Sequence, residues 1–145
     1  MKQKLFFTLS LLSFFIVLAG CGDPKVTGKV TFPDGSPLTA GQVMFRKENF
    51  VASGDVKSDG YYSAGKNKDG DGLPPGTYQV YISGATKFGE MQPPAKDATI
   101  GKMPTFQVAP TIQLVDMKFT APESSGLSVT VKGNTKFDFT VEPPR

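Results

Sequence analysis

Three short oxygen-bearing side chains, Asn67, Asp69 and Asp71, stand at alternate positions in the stretch GKNKDGDGLPPGTYQVYIS, residues 65 to 83, and Gly72 follows at once. Asn-x-Asp-x-Asp-Gly spells the first half of an EF-hand calcium loop, in which alternate oxygens converge on one cation and glycine permits the sharp bend. The second half is missing. Counting Asn67 as position one, the bidentate acid needed at position twelve is replaced by Tyr78, and no helical pattern flanks the stretch. Asp-Gly repeats ahead of Pro-Pro-Gly are also what a tight connection between strands requires. The spacing therefore favours a turn that opens a strand. Asn67, Asp69 and Asp71 stay as weak candidates for a calcium site, and no metal or cofactor is assigned.

Histidine is absent from the whole chain, and cysteine occurs once, at Cys21. The usual zinc ligand sets cannot be assembled, and neither Ser-His-Asp nor Cys-His catalysis is available. Carboxylates remain for acid-base work, with Asp55, Asp59, Glu90, Asp97, Asp116, Glu123, Asp138 and Glu142 to draw on. None sits in a motif that predicts a cleft, and Asp138, alternating with Phe137 and Phe139, is expected to face solvent. No catalytic residue is assigned, and the chain is expected not to be an enzyme. A covalent cross-link is a third chemistry, since Lys29 lies in the first strand-like run and Asn134 precedes the last. Lys29 alternates outward from Val30, however, and Lys132-Gly133-Asn134-Thr135 reads more simply as a hairpin turn in which Gly and Asn tolerate positive φ.

The N-terminus reads MKQKLFFTLSLLSFFIVLAGCG: Lys2 and Lys4, an apolar run from Leu5 to Leu18, then Ala19 and Gly20 before Cys21. This is the layout of a secretory signal peptide, too short and wrongly flanked for a spanning helix. The ending Leu-Ala-Gly-Cys resembles the bacterial lipobox, in which the cysteine is acylated and becomes the first residue of the mature chain. Residues 1–20 are thus expected to be removed, Cys21 to carry the lipid, 21–25 to form a short tether, and 26–142 to form one domain. Several acyl chains hold such a protein on a membrane without a spanning helix. Losing Lys2 and Lys4 leaves fourteen basic residues against thirteen acidic ones, so the basic character belongs largely to the leader. No basic run interleaved with aromatics remains, and nucleic acid is dropped as a partner class.

From Val26 onward the pattern is period two, the mark of half-buried strands. Val26, Val30 and Phe32 share one face, as do Val43 with Phe45, Tyr78 with Val80 and Ile82, Leu127 with Val129 and Val131, and Phe137 with Phe139 and Val141. Gly, Pro and Asp fall between these runs, at PDGS (33–36), SDG (58–60) and DGDGLPPG (69–76). No segment after the leader shows helical periodicity. The expected fold is all-β, an antiparallel sandwich of about seven strands of immunoglobulin or transthyretin-like type. With its cysteine acylated, it holds by packing and hydrogen bonding without disulfides. Residues 84–110 form one long irregular loop with Phe88, Met91, Met103 and Phe106. Its apolar residues are expected to tuck back over a sheet edge; the functional alternative makes the loop a partner-binding surface.

VTGKVTFPDGSPLTAGQVMF resembles the opening of carboxypeptidase-regulatory-like (transthyretin-like) sandwich domains, SDGYYS their Asp-Gly-x-Tyr turn, and GDGLPPGTYQVYI their Pro-Gly-x-Tyr-x-Val strand entry. MKFTAPESSGLSVTVKGNTKFDFTV is similar to the closing motif of a group of small bacterial envelope lipoproteins. The resemblance implies a non-catalytic accessory module; the 84–110 loop departs from it. The expected function is a lipid-anchored structural or protein-interaction module of the cell envelope, periplasmic or surface-facing. Its partners are the membrane through the anchor and an envelope protein or glycan. The alternative is a carbohydrate- or calcium-binding module using the Asp-rich loop with Tyr61, Tyr62 and Tyr81, one of the first two of which must face inward by alternation.

Overall fold

A computed structural model describes residues 22–91 and 108–145; Cys21, Asp97, Met103 and Phe106 lie outside the described residues. Strands β1 (Val26–Thr31), β2 (Gln42–Lys47), β3 (Phe50–Asp55), β4 (Tyr61–Ala64) and β5 (Gly76–Ser83) are followed by β6 (Thr86–Phe88) and β7 (Thr111–Gln113), then β8 (Leu127–Val131), β9 (Thr135–Lys136) and β10 (Phe139–Thr140). One sheet has the order β10-β1-β4 with β9 also on β1, the second has β3-β2-β5-β8, and β6 pairs with β7 alone. β9 and β10 are two fragments of one edge strand along β1, interrupted at Phe137 and Asp138. Counted as one, they give a seven-stranded all-β sandwich.

Alternation decides what the two sheets bury. Val26 and Val30 of β1, Val43 and Phe45 of β2, Tyr78, Val80 and Ile82 of β5, and Val129 and Val131 of β8 all point into one core, with Tyr62, Phe139 and Val141. Each such side chain contributes about 1.5–3 kcal/mol by leaving water. Leu38 and Leu73 are fully buried from the connections and pin those to the sandwich.

Three features differ from expectation. Residues 132–135 are no hairpin: Val131 pairs with Gly76 in the four-stranded sheet and Thr135 with Val26 in the other, so the segment crosses between sheets. The closing fragments therefore run parallel to β1, whereas the remaining ladders are antiparallel. Helical turns occur where none was expected, a 3-10 turn at Met117–Thr120 and the single-turn α1 at Pro122–Ser125. Their signals are local: Asp116 caps the first through its carboxylate to Lys118 N (3.0 Å), and Pro122 opens the second while Gly126, in the left-handed region at φ 66°, ends it.

The topology gives the sandwich two poles. Chain entry at Gly22–Lys25, the β2–β3 turn at Glu48 and Asn49, the approach to β5 and the 132–135 crossing share one. The 33–41 connection, the 56–60 turn, the β6–β7 ribbon and the C-terminal residues share the other.

Candidate functional site

β3 is the edge of its sheet, so its outward N–H groups need partners from outside it. Gly65 supplies the first, its carbonyl accepting from Ser53 N at 3.1 Å while its own N–H returns to Ser53 O at 2.8 Å. Two residues along the edge, Asp69 Oδ1 accepts from Asp55 N at 3.3 Å. Asp69 thus finishes a sheet edge. Asp71 lies 4.0 Å from Lys68 Nζ in an exposed pair, and Asn67 stands out in solvent. A shallow pocket of about 320 Å³ between this loop and β3 does include Asp55, Asn67 and Asp69, but Lys66 and Lys68 line it too, and their ammonium groups oppose a cation. Among the described residues, no three His, Cys, Asp or Glu side chains are grouped to hold a metal ion.

Tyr78, at the position where a calcium ligand would stand, is 1% exposed. Its hydroxyl donates to the Pro74 carbonyl at 2.7 Å and its ring meets Phe50 edge-on at 5.9 Å. Burial, with Asp23 nearby, pushes the phenol pKa up. The side chain therefore closes the exit of the Asp-rich loop onto the core.

The break between β9 and β10 is the second polar construction. The Phe137 carbonyl tips inward and accepts from the Tyr62 hydroxyl at 2.6 Å. It passes so close to Gly28 that a Cβ there would collide with the oxygen. With the main chain diverted, Asp138 Oδ1 takes the Lys29 N–H at 2.9 Å in place of a backbone acceptor, and Oδ2 pairs with Lys136 Nζ at 2.7 Å. The bond from Lys136, and the Lys29 amide after it, hold the Asp138 carboxyl below the usual value of 3.8, while burial and then the Asp138 charge hold Tyr62 protonated well above the tyrosine range. Sequence placed Asp138 in solvent correctly but missed this link. Its signal was Gly28, the one inward position of the first strand without a side chain.

The remaining carboxylates are dispersed. Asp34 and Asp59 close their own turns by accepting from Ser36 N and Tyr61 N. Asp55 accepts from Gln42 Nε2 at 2.7 Å, and Glu123 pairs with Arg46 at 3.1 Å. Asp116 and Glu142 do come together, yet Lys118 and Arg145 neutralise them on an open surface. The bond from Lys118 draws the Glu142 pKa down. Tyr61 and Tyr81 lie on the outer faces of different sheets, and Tyr62 is wholly buried, so the tyrosines form no common platform. Asn134 accepts from Lys25 N, four β1 residues or about 13 Å along the strand from Lys29, which separates the cross-linking pair. The long loop departs from expectation: Phe88 is 81% and Met91 72% exposed on the ribbon arm, so neither covers a sheet edge.

Fold and surface together define a seven-stranded β-sandwich in which Asp69, Asp138, Tyr62 and Tyr78 bond to its own backbone. No family model matches the chain, and no curated protein does. Among solved structures it is similar to a DUF3823 family protein from Bacteroides ovatus, at 17% identity and a TM-score of 0.44. That match takes in 83% of this chain and 45% of that one, so the chain spans under half the length of its structural neighbour.

Proposed function

We propose that the chain is a lipid-anchored, non-catalytic envelope module that resembles the carboxypeptidase-regulatory-like domains of small bacterial lipoproteins and binds another envelope protein. The observation that carries this reading is the polarity of the sandwich. Chain entry from Cys21 is at one pole, and the β6–β7 ribbon projects from the other with Phe88, Met91 and Val108 at 81%, 72% and 87% exposure. Large apolar side chains grouped at a pole away from the anchor suit contact with a protein beyond the membrane surface, because aromatic and methionine anchors dominate such interfaces.

Metabolic acyl labelling of the wild type and of Cys21→Ser tests the anchor. Label on the wild type alone, with the variant released from membranes, is the expected result; an unlabelled wild type overturns the lipoprotein reading. Cross-linking in intact cells tests the ribbon. Phe88→Ser with Met91→Ser is expected to lose the cross-linked envelope protein at unchanged expression, and an unchanged cross-linking pattern removes the ribbon from the interface.

A further inference from the structure

We infer that the tether pole is a docking surface for anionic phospholipid headgroups, a reading that rests on the lipid-anchored assignment above. Lys25, Lys47, Lys66 and Lys132 all emerge there: beside the chain entry, at the end of β2, on the Asp-rich loop, and at the crossing after β8. Lys66 is held over the Phe50 ring at 5.7 Å. Among the described residues, none of the four has a carboxylate within ion-pair distance; Lys29, Lys57 and Lys87 are unpaired too but lie apart from one another, on β1, the 56–60 turn and β6, whereas Arg46, Lys68, Lys118, Lys136 and Arg145 each have a partner. Asp23 and Glu48 are the acids of this pole, and Asp71 beside it is taken by Lys68. The pole carries an excess of positive charge on a chain that is close to neutral without its leader.

Tether length turns that excess into a surface interaction. The chain is fixed from Pro24 onward, since the Pro24 carbonyl accepts from Leu73 N at 2.9 Å and Lys25 N donates to Asn134 Oδ1 at 2.9 Å. Gly22 and Asp23 alone separate this point from Cys21, a span of about 10 Å at full extension. That is close to the ~8 Å Debye length at physiological salt, so an acylated Cys21 holds the four ammonium groups where the negative potential of anionic lipid still acts. Each lysine favours the docked state about five-fold. A tether of ordinary length would dilute this effect; one of two free residues does not.

The test uses the full acylated protein, purified from membranes of its own host and placed in vesicles of phosphatidylcholine alone or with phosphatidylglycerol. A fluorophore on Asn49→Cys marks the tether pole and one on Ser58→Cys the far pole, with a quencher attached to lipid headgroups. Docking predicts several-fold stronger quenching at position 49 in anionic than in neutral vesicles, reversal by 0.5 M salt as a rough working level, and no change at position 58. The combination Lys47→Glu, Lys66→Glu, Lys132→Glu should abolish the difference while keeping the wild-type circular dichroism melt. Equal quenching in both vesicles, or no response to salt, overturns the inference; the salt arm needs no variant to fold. Label stoichiometry separates this failure from failure of the anchor, because an acylated Cys21 leaves one reactive thiol and a free Cys21 leaves two. In the latter case, flotation of the unanchored protein with anionic vesicles alone still upholds the docking surface, and absence of flotation overturns it.

Discussion

Asp69, from the half calcium loop, and Asp138, expected in solvent, each accept from a backbone N–H group, the first on the β3 edge and the second at the strand break beside β1. Asp69→Asn keeps an acceptor and should change stability little, whereas Asp69→Ala should cost about 1 kcal/mol. Neither variant, nor the wild type, should shift its melting temperature in millimolar calcium. Around the strand break, Tyr62→Phe strands the Phe137 carbonyl and is expected to cost about 1–3 kcal/mol in urea unfolding. Gly28→Ala drives a methyl into that oxygen, at about 3 kcal/mol. The Asp138 carboxyl is more acidic folded than unfolded. Its contribution is therefore complete above the unfolded carboxylate pKa and is lost as pH falls through the lower folded value. Urea midpoints measured from about pH 5 down to 2 should fall less steeply in Asp138→Asn than in the wild type.

Among the elements, the turn before β8 shows how the closing strand of the four-stranded sheet is started. Buried Ser125 donates to the Val80 carbonyl at 2.6 Å and accepts from Leu127 N at 3.2 Å, so one hydroxyl joins β5 to the first residue of β8. Ser125→Ala should lower stability by about 1–2 kcal/mol, and Ser125→Cys should not recover it, since sulfur is a weak donor. The positions and inward faces of β1, β2, β5, β8 and the closing strand were legible, because period two is a property of adjacent residues; β3, β6 and β7 were not, β6 lying in the stretch expected to be an irregular loop. The Asp69 contact was not, since it depends on which strand is left at the edge, and that follows from pairing between distant segments. The 132–135 crossing was misread for the same reason: a short polar link between two strands reads alike whether they pair with each other or enter opposite sheets. Pro122 and Gly126 marked a helical turn, but four residues are too few for any period to show.

At the scale of the molecule, the proposed function gives the two poles different duties. If the ribbon belongs to a partner and not to the fold, Phe88→Ser with Met91→Ser should leave the urea midpoint within about 0.5 kcal/mol of wild type, as for other surface changes. A loss of several kcal/mol would place those side chains in the folding unit instead. By contrast, Tyr78→Ala empties a fully enclosed site and frees the exit of the Asp-rich loop, and a cost of about 3–5 kcal/mol is expected.

Sequence by itself determined the β class, the buried faces of five strands and the negative inventory of histidine and thiol, because each of these is set by residue type or by spacing within one segment. Tertiary structure alone decided that the last strand runs parallel to the first, and that Asp69 and Asp138 serve the backbone. It also decided that the tyrosines part company and that Lys25, Lys47, Lys66 and Lys132 gather at one pole. Those outcomes depend on which distant strands pair and in what register, and alternation leaves that open: residues 25, 47, 66 and 132 share a surface only once two sheets have been closed over one core.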